Sequence, residues 1–123
     1  MLVNTGSLAV ADLADEATSL GPGLPSRVIA RINENQLRLS VYAGEGNWHS
    51  HPTADELFLV LDGELTLDLE DGTAVTIGPR QVVTIPAGTV HRPRASVAST
   101  ILCFKHADAT NQFFDPPPAT SRD

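Results

Sequence analysis

The chain has 123 residues, 41 % of them apolar, and a formal net charge of −7 with a pI near 4.8, the size and polarity of one domain able to bury a core. A net acidic surface repels phosphate backbones, which excludes nucleic acid as an expected partner. No apolar run approaches the ~20 residues of a membrane-spanning helix, so no membrane partner is expected either.

Residues 1–25 read as a helical or loop extension. Leu8, Ala11, Leu13, Ala14 and Ala17 fall at helix-like spacing, and Ser7 is positioned as an N-cap. Gly21-Pro22-Gly23 and Pro25 end any such helix. We expect a short N-terminal helix lying on the outside of the main body; a loosely attached segment is the plainer alternative. The N-terminus has no basic start followed by an apolar core, so no secretory signal is expected.

From Ser26 the period changes to two. Val28, Ala30 and Ile32 alternate with Arg27, Ile29 and Arg31. Asn33-Glu34-Asn35 reads as a turn, and Leu37, Leu39 and Val41 alternate with Arg38, Ser40 and Tyr42, giving a hairpin of half-buried strands. Gly44-Glu45-Gly46-Asn47 bends into the segment with two histidines. Glu56 to Leu61 is a strand, and Asp62-Gly63 a hairpin signal. Leu65, Leu67 and Leu69 alternate with polar neighbours; Asp71-Gly72 turns the chain into Thr73, Val75 and Ile77. Gly78-Pro79 interrupts, Val82 to Ile85 resumes, and Val97 to Phe104 is the last clear strand. About eight to ten short strands with close turns argue for an all-β antiparallel sandwich or barrel. The barrel is expected over 26–114. Residues 115–123, Asp-Pro-Pro-Pro-Ala-Thr-Ser-Arg-Asp, cannot enter a sheet interior and are expected to form a mobile tail.

The chemistry concentrates in His49-Ser50-His51-Pro52-Thr53-Ala54-Asp55-Glu56 and in the distant His91. Residues two apart in a strand share a face, so His49 and His51 can reach one point. Imidazole and carboxylate donors together suit one divalent transition metal: manganese, iron, nickel, cobalt or zinc. The expected ligands are His49, His51, Glu56 and His91. Three histidines and a glutamate leave about two positions open in an octahedral shell. A purely structural zinc site would instead fill its four places and often use cysteine.

Gly44 through His49 and His51, then Glu56 and Gly63, resembles the first motif of the cupin superfamily; Gly78 with Pro86-Ala87-Gly88-Thr89-Val90-His91 resembles the second. The opening glycine is one residue off, Gly78 lies seven residues before Pro86 where five are usual, and Ala95 stands where an asparagine is often found. These departures leave the four donors untouched. Trp48-His49-Ser50-His51 and Asp55-Glu56-Leu57-Phe58 also resemble small single-domain bacterial cupins that are often likened to mannose-6-phosphate isomerase. The resemblance covers about residues 26–106. It implies an antiparallel double-stranded β-helix, the jelly-roll cupin barrel.

Among the remaining residues, Phe58, Val60, Val83, Ile85 and Leu102 are expected in the core or barrel lining. Trp48 and Tyr42 suit a ligand face or an outer face equally. Alternation puts Arg92 and Arg94 opposite His91, Arg38 is open, and Asp55 reads as a solvated turn residue. Cys103 reads as a small buried hydrophobe. Being single, it has no internal disulfide partner, which fits a reducing cytoplasm. No phosphate loop and no nucleophile elbow is present. Three functions fit: a metal-dependent enzyme on a small oxygen-bearing metabolite, of isomerase or dioxygenase type; a binding or sensing module for a small-molecule ligand in the barrel; and a structural cupin. No catalytic residue is named beyond the metal ligands. We expect a homodimer, the commonest closed assembly.

Overall fold

The computed structural model describes residues 8–23 and 25–115. Helix α1 (Leu13–Leu20) precedes β1 (Arg27–Ile32), β2 (Asn35–Glu45), β3 (Trp48–Ser50), β4 (Glu56–Asp62), β5 (Leu65–Leu69), β6 (Ala74–Ile77), β7 (Val82–Ile85), β8 (His91–His106) and β9 (Gln112–Phe114). Every ladder between these strands is antiparallel. The expected jelly-roll with a short N-terminal helix is the observed fold.

The 16-residue β8 is the spine. One edge pairs with β2 from Asn35↔His106 to Glu45↔Arg94. The other edge takes β5 along His91–Arg94 and β4 along Thr100–Lys105. Two layers result: β1-β2-β8-β4-β7 and β9-β3-β8-β5-β6. Among the described residues the ring is not closed, because β6 pairs only with β5 and β7 only with β4.

Two apolar clusters divide the strands by face. Val60, Leu65, Leu67, Ile77, Ile85 and Ile101 fill the space between the layers, with Phe58 and Val83 packed against them. Ile29, Leu39 and Leu102 lie on the outer face of the first layer, where Leu13 and Ala17 of α1 cover them together with Leu59 and Leu61 of β4. Thus β4 is apolar at nearly every position because both of its faces are buried. The core expectation for Phe58, Val60, Val83, Ile85 and Leu102 holds, with Leu102 on the outer side.

Several local expectations change. Helix α1 begins at Leu13 with Asp12 as N-cap, its Oδ1 accepting the Asp15 N–H at 3.0 Å; Ser7 lies outside the described residues, and Leu8 is fully exposed. In β1 a register shift between Val28 and Ala30 breaks the alternation, so Val28 and Ile29 are both buried and Ile32 is 58 % exposed. Strand β8 starts at His91 rather than Val97 and runs through Pro93. Pro93 sits where the β2 ladder ends, and its carbonyl accepts the Gly46 N–H at 2.8 Å. Strand β9 was not expected. It pairs with β3, placing Phe113 opposite His49. Of the tail expected over 115–123, all but Asp115 lies outside the described residues.

Candidate metal centre

The fold brings all four expected ligands together. His49 lies on β3 and His51 just past its end; Glu56 opens β4 and His91 opens β8. His49 and His91 are direct cross-strand partners, and their ring centroids are 4.4 Å apart. One ligand atom from each of the four residues lies within 4.8 Å of the others. His51, Glu56 and His91 are at most 3 % exposed, while His49 is half-buried at the open side. The two loops that carry the motifs are stitched to each other. Gly88 N–H donates to the His51 carbonyl at 2.9 Å, and Ala87 N–H donates to Asp55 Oδ1 at 2.9 Å. Asp55 is therefore a brace between the loops and no member of the ligand cluster.

Hydrogen bonding fixes the orientation of each imidazole. The Nδ1 of His49 faces the Asn47 carbonyl at 2.8 Å, that of His51 the Thr110 carbonyl at 3.1 Å, and that of His91 the Thr89 carbonyl at 2.9 Å. A carbonyl only accepts, so each Nδ1 carries the proton and each Nε2 is left as a bare lone pair. The Nε2 atoms of His51 and His91 and the Oε1 of Glu56 are buried with no hydrogen-bond partner among the described residues. Yet Glu56 Oε1 stands 3.1 Å from His51 Nε2 and 3.6 Å from His91 Nε2. Acceptors this close in a dry site repel unless a cation lies among them. The donor set, its buried orphaned atoms and its carbonyl-anchored tautomers fit a bound metal.

The charge balance agrees. Burial opposes ionisation of Glu56, but its polar surroundings, with the Cys103 thiol and the charge of Lys105 at Oε2, outweigh it and hold the carboxyl well below the usual carboxylate range. Cys103 Sγ donates to Glu56 Oε2 at 2.9 Å, and Lys105 Nζ is 3.5 Å from the same oxygen. Burial, with the Glu56 charge behind it, pushes the Cys103 thiol far up, so it is a neutral donor. Burial also lowers His49 from its ordinary value, which favours the neutral, ligating form.

A cavity of about 340 Å³ opens beside His49 and Glu56, bordered by Arg38, Tyr42, Cys103 and Lys105. Tyr42 thus faces the cavity. Trp48 does not line it; it packs beneath Arg92, whose Cζ is 5.3 Å from the ring centroid. Arg92 and Arg94 both bind Asp68, at 2.8 and 2.9 Å, on the face opposite His91 as alternation required. The neighbours that sequence reasoning did not place at the site are Cys103, Lys105 and Phe113. The first two had a readable signal: Ile101, Cys103 and Lys105 share a face at period two.

The cupin domain family matches residues 37–103, a span that contains all four clustered residues. An uncharacterised protein of Bacillus subtilis, YdbB, is 40 % identical over 90 residues, covering 73 % of this chain and 80 % of its own length. A cupin-2 domain protein from Shewanella frigidimarina has a crystal structure that is 30 % identical, with a TM-score of 0.74 over 77 % of this chain and 92 % of that one. Hydroquinone 1,2-dioxygenase from Sphingomonas shares the fold at 14 % identity, with a TM-score of 0.66 over 86 % of this chain and 84 % of that one. Since the family match spans over half of the chain and the jelly-roll architecture accompanies it, the protein belongs to the cupin domain family.

Proposed function

We propose that His49, His51, Glu56 and His91 bind one divalent transition metal and that the protein is a metal-dependent enzyme acting on a small oxygen-bearing metabolite in the adjoining cavity. The observation that carries this reading is the convergence of buried, unpartnered Nε2 and Oε1 atoms whose tautomers are fixed from behind by backbone carbonyls. A metal held there supplies Lewis acidity toward an oxygen donor or activates water or oxygen. The chain's own residues do the rest. Nδ1–carbonyl bonds aim the imidazoles, Cys103 and Lys105 hold the outer oxygen of Glu56, and the half-buried His49 marks the side from which a ligand enters. Isomerase-type and dioxygenase-type reactions both suit this arrangement; the dioxygenase likeness supports the latter only through the shared fold. Metal analysis of untagged protein, paired with His49→Ala, tests the reading. It expects one equivalent of metal in the native chain and a large loss in the variant. Absence of stoichiometric metal after loading with manganese, iron, nickel, cobalt or zinc in turn overturns it.

A sensing or binding role is the second reading. Apart from the proposed ligands, no histidine or carboxylate lines the cavity among the described residues, and Cys103 and Lys105, which do line it, are already engaged with Glu56. Turnover of a substrate panel by metal-loaded protein separates the two.

The organisation that accompanies this function is also a proposal: an extension at 1–25, a barrel at 26–114, a tail at 115–123, a homodimer, and a reducing cytoplasm as the compartment. The packing of α1 against the outside of the first layer supports the first division. The lone free Cys103 supports the compartment. Among the described residues no helix is long and apolar enough to cross a membrane.

A further inference from the structure

The cavity is positively charged in a protein whose net charge is −7. Two cationic side chains, Arg38 and Lys105, line it against one carboxylate, Glu56. That carboxylate is already engaged by Cys103 and Lys105 on one oxygen and by the histidine cluster on the other. Arg38 has no carboxylate partner among the described residues. Its Nε donates to Ser26 Oγ at 2.7 Å, one Nη to the Ser26 carbonyl at 3.2 Å and the other to Gln36 Oε1 at 3.0 Å. These neutral acceptors orient the guanidinium without neutralising it. Three of its five N–H groups are used, which leaves one on each terminal nitrogen. Strand register puts the cations where they are: Arg38 lies opposite Cys103, and Lys105 lies opposite Glu56. Phe58 and Ile101 add an apolar wall to the same cavity.

We propose that this cavity recognises a small carboxylate-bearing ligand, its carboxylate bound by Arg38 with Lys105 adding charge, and its apolar body along Phe58 and Ile101. The carboxylate contact stands on Arg38 and Lys105 alone; that the ligand's far end reaches toward His49 and Glu56 rests on the metal reading above. An oriented guanidinium with one N–H left on each terminal nitrogen matches a carboxylate fork better than a neutral carbonyl. Its preset geometry reduces the ordering cost of binding.

Calorimetric titration of zinc-loaded and of metal-free protein with acetate, benzoate and salicylate, and with benzamide as the neutral counterpart of benzoate, tests this. At least one carboxylate is expected to bind saturably, benzoate well ahead of benzamide. Arg38→Met is expected to weaken the carboxylates roughly tenfold or more and to erase the preference over benzamide. Lys105→Met should reduce the same preference more mildly. Since Arg38 also ties down Ser26, the benzoate-to-benzamide ratio is the deciding quantity, because a merely structural role would not alter it. No saturable carboxylate binding, equal binding of benzoate and benzamide, or an Arg38→Met protein with the native ratio each overturns the proposal. Zinc stoichiometry is measured on the same samples. A protein that takes up none of manganese, iron, nickel, cobalt and zinc yet still prefers benzoate through Arg38 would sink the metal reading and leave this one standing.

Discussion

His49 is the half-buried member of the proposed ligand set, and truncating it removes a donor without opening a hole in the core. A metal bound to the folded chain alone stabilises it by about 2.7 kcal/mol when free metal is a hundredfold above the dissociation constant. Chelation is therefore expected to lower the melting temperature of the native protein and to leave His49→Ala nearly unmoved, a difference that calorimetry reads directly. Glu56→Gln keeps the shape and removes the anion, so metal affinity is expected to fall while the fold persists; binding assays on the two proteins check this. Affinity should also weaken on acidification, since the ligands bind deprotonated. Two glycines give a second comparison. Gly63 has φ +90°, and a Cβ there would lie 2.9 Å from the Ser99 Cα, itself buried and bonded to Glu64 through Oγ. Gly63→Ala should cost about 2–4 kcal/mol in denaturant unfolding. Gly78 has no positive φ, and its nearest neighbour to a new Cβ is Gln81 Oε1 at 3.8 Å. Gly78→Ala should be nearly neutral, which also explains why the irregular position of this glycine is tolerated.

At the level of elements, α1 depends on its cap. The eight-residue helix is too short to stand on propensity and holds its place through Leu13 and Ala17 on the outer cluster. Asp12→Ala should destabilise the protein by about 1 kcal/mol, read from the unfolding midpoint. Strands β5 and β8 are joined on their wet face by Asp68, which Arg94 and then Arg92 hold below the ordinary aspartate range. A depressed carboxyl contributes stability above its unfolded pKa and loses it as pH falls through the folded value. Asp68→Asn should therefore cost up to about 1 kcal/mol near neutrality, screened by solvent and salt, and nothing in strong acid. Comparing the two unfolding curves across pH checks the sign. Strands β2, β4 and β5 were legible because their alternation or apolar runs follow from burial. Strand β9 was not, because three residues carry no period and its only cue is the pairing with β3. The clustering of His49, His51, Glu56 and His91 was legible from their spacing and motifs. For Cys103 and Lys105 the period-two alternation of β8 gave the shared face, but their place beside Glu56 depends on the β4–β8 register, which no local pattern encodes. Asp12 displaced Ser7 as cap because Leu8 and Val10 find nothing to pack against.

For the whole molecule, the homodimer is a proposal with a simple measurement. Among the described residues Ile32, Val82, Val97 and Phe113 remain exposed, and strands β1 and β9 end the sheet path with no further strand beside them. Light scattering across a range of concentrations should give twice the chain mass; a concentration-independent monomer mass would refute it.

The hydrogen bond from His51 to the Thr110 carbonyl has a consequence in time. During synthesis His49, His51 and Glu56 leave the ribosome early, but the acceptor that fixes the His51 tautomer comes 59 residues later. Strand β9, which backs His49, comes later still. The half-made chain can hold loose histidines but cannot present the aimed donor set. If the proposed metal binds, its selection belongs to the fold completed through Phe114, and a nascent chain stalled short of that point should take up metal more weakly than the finished protein.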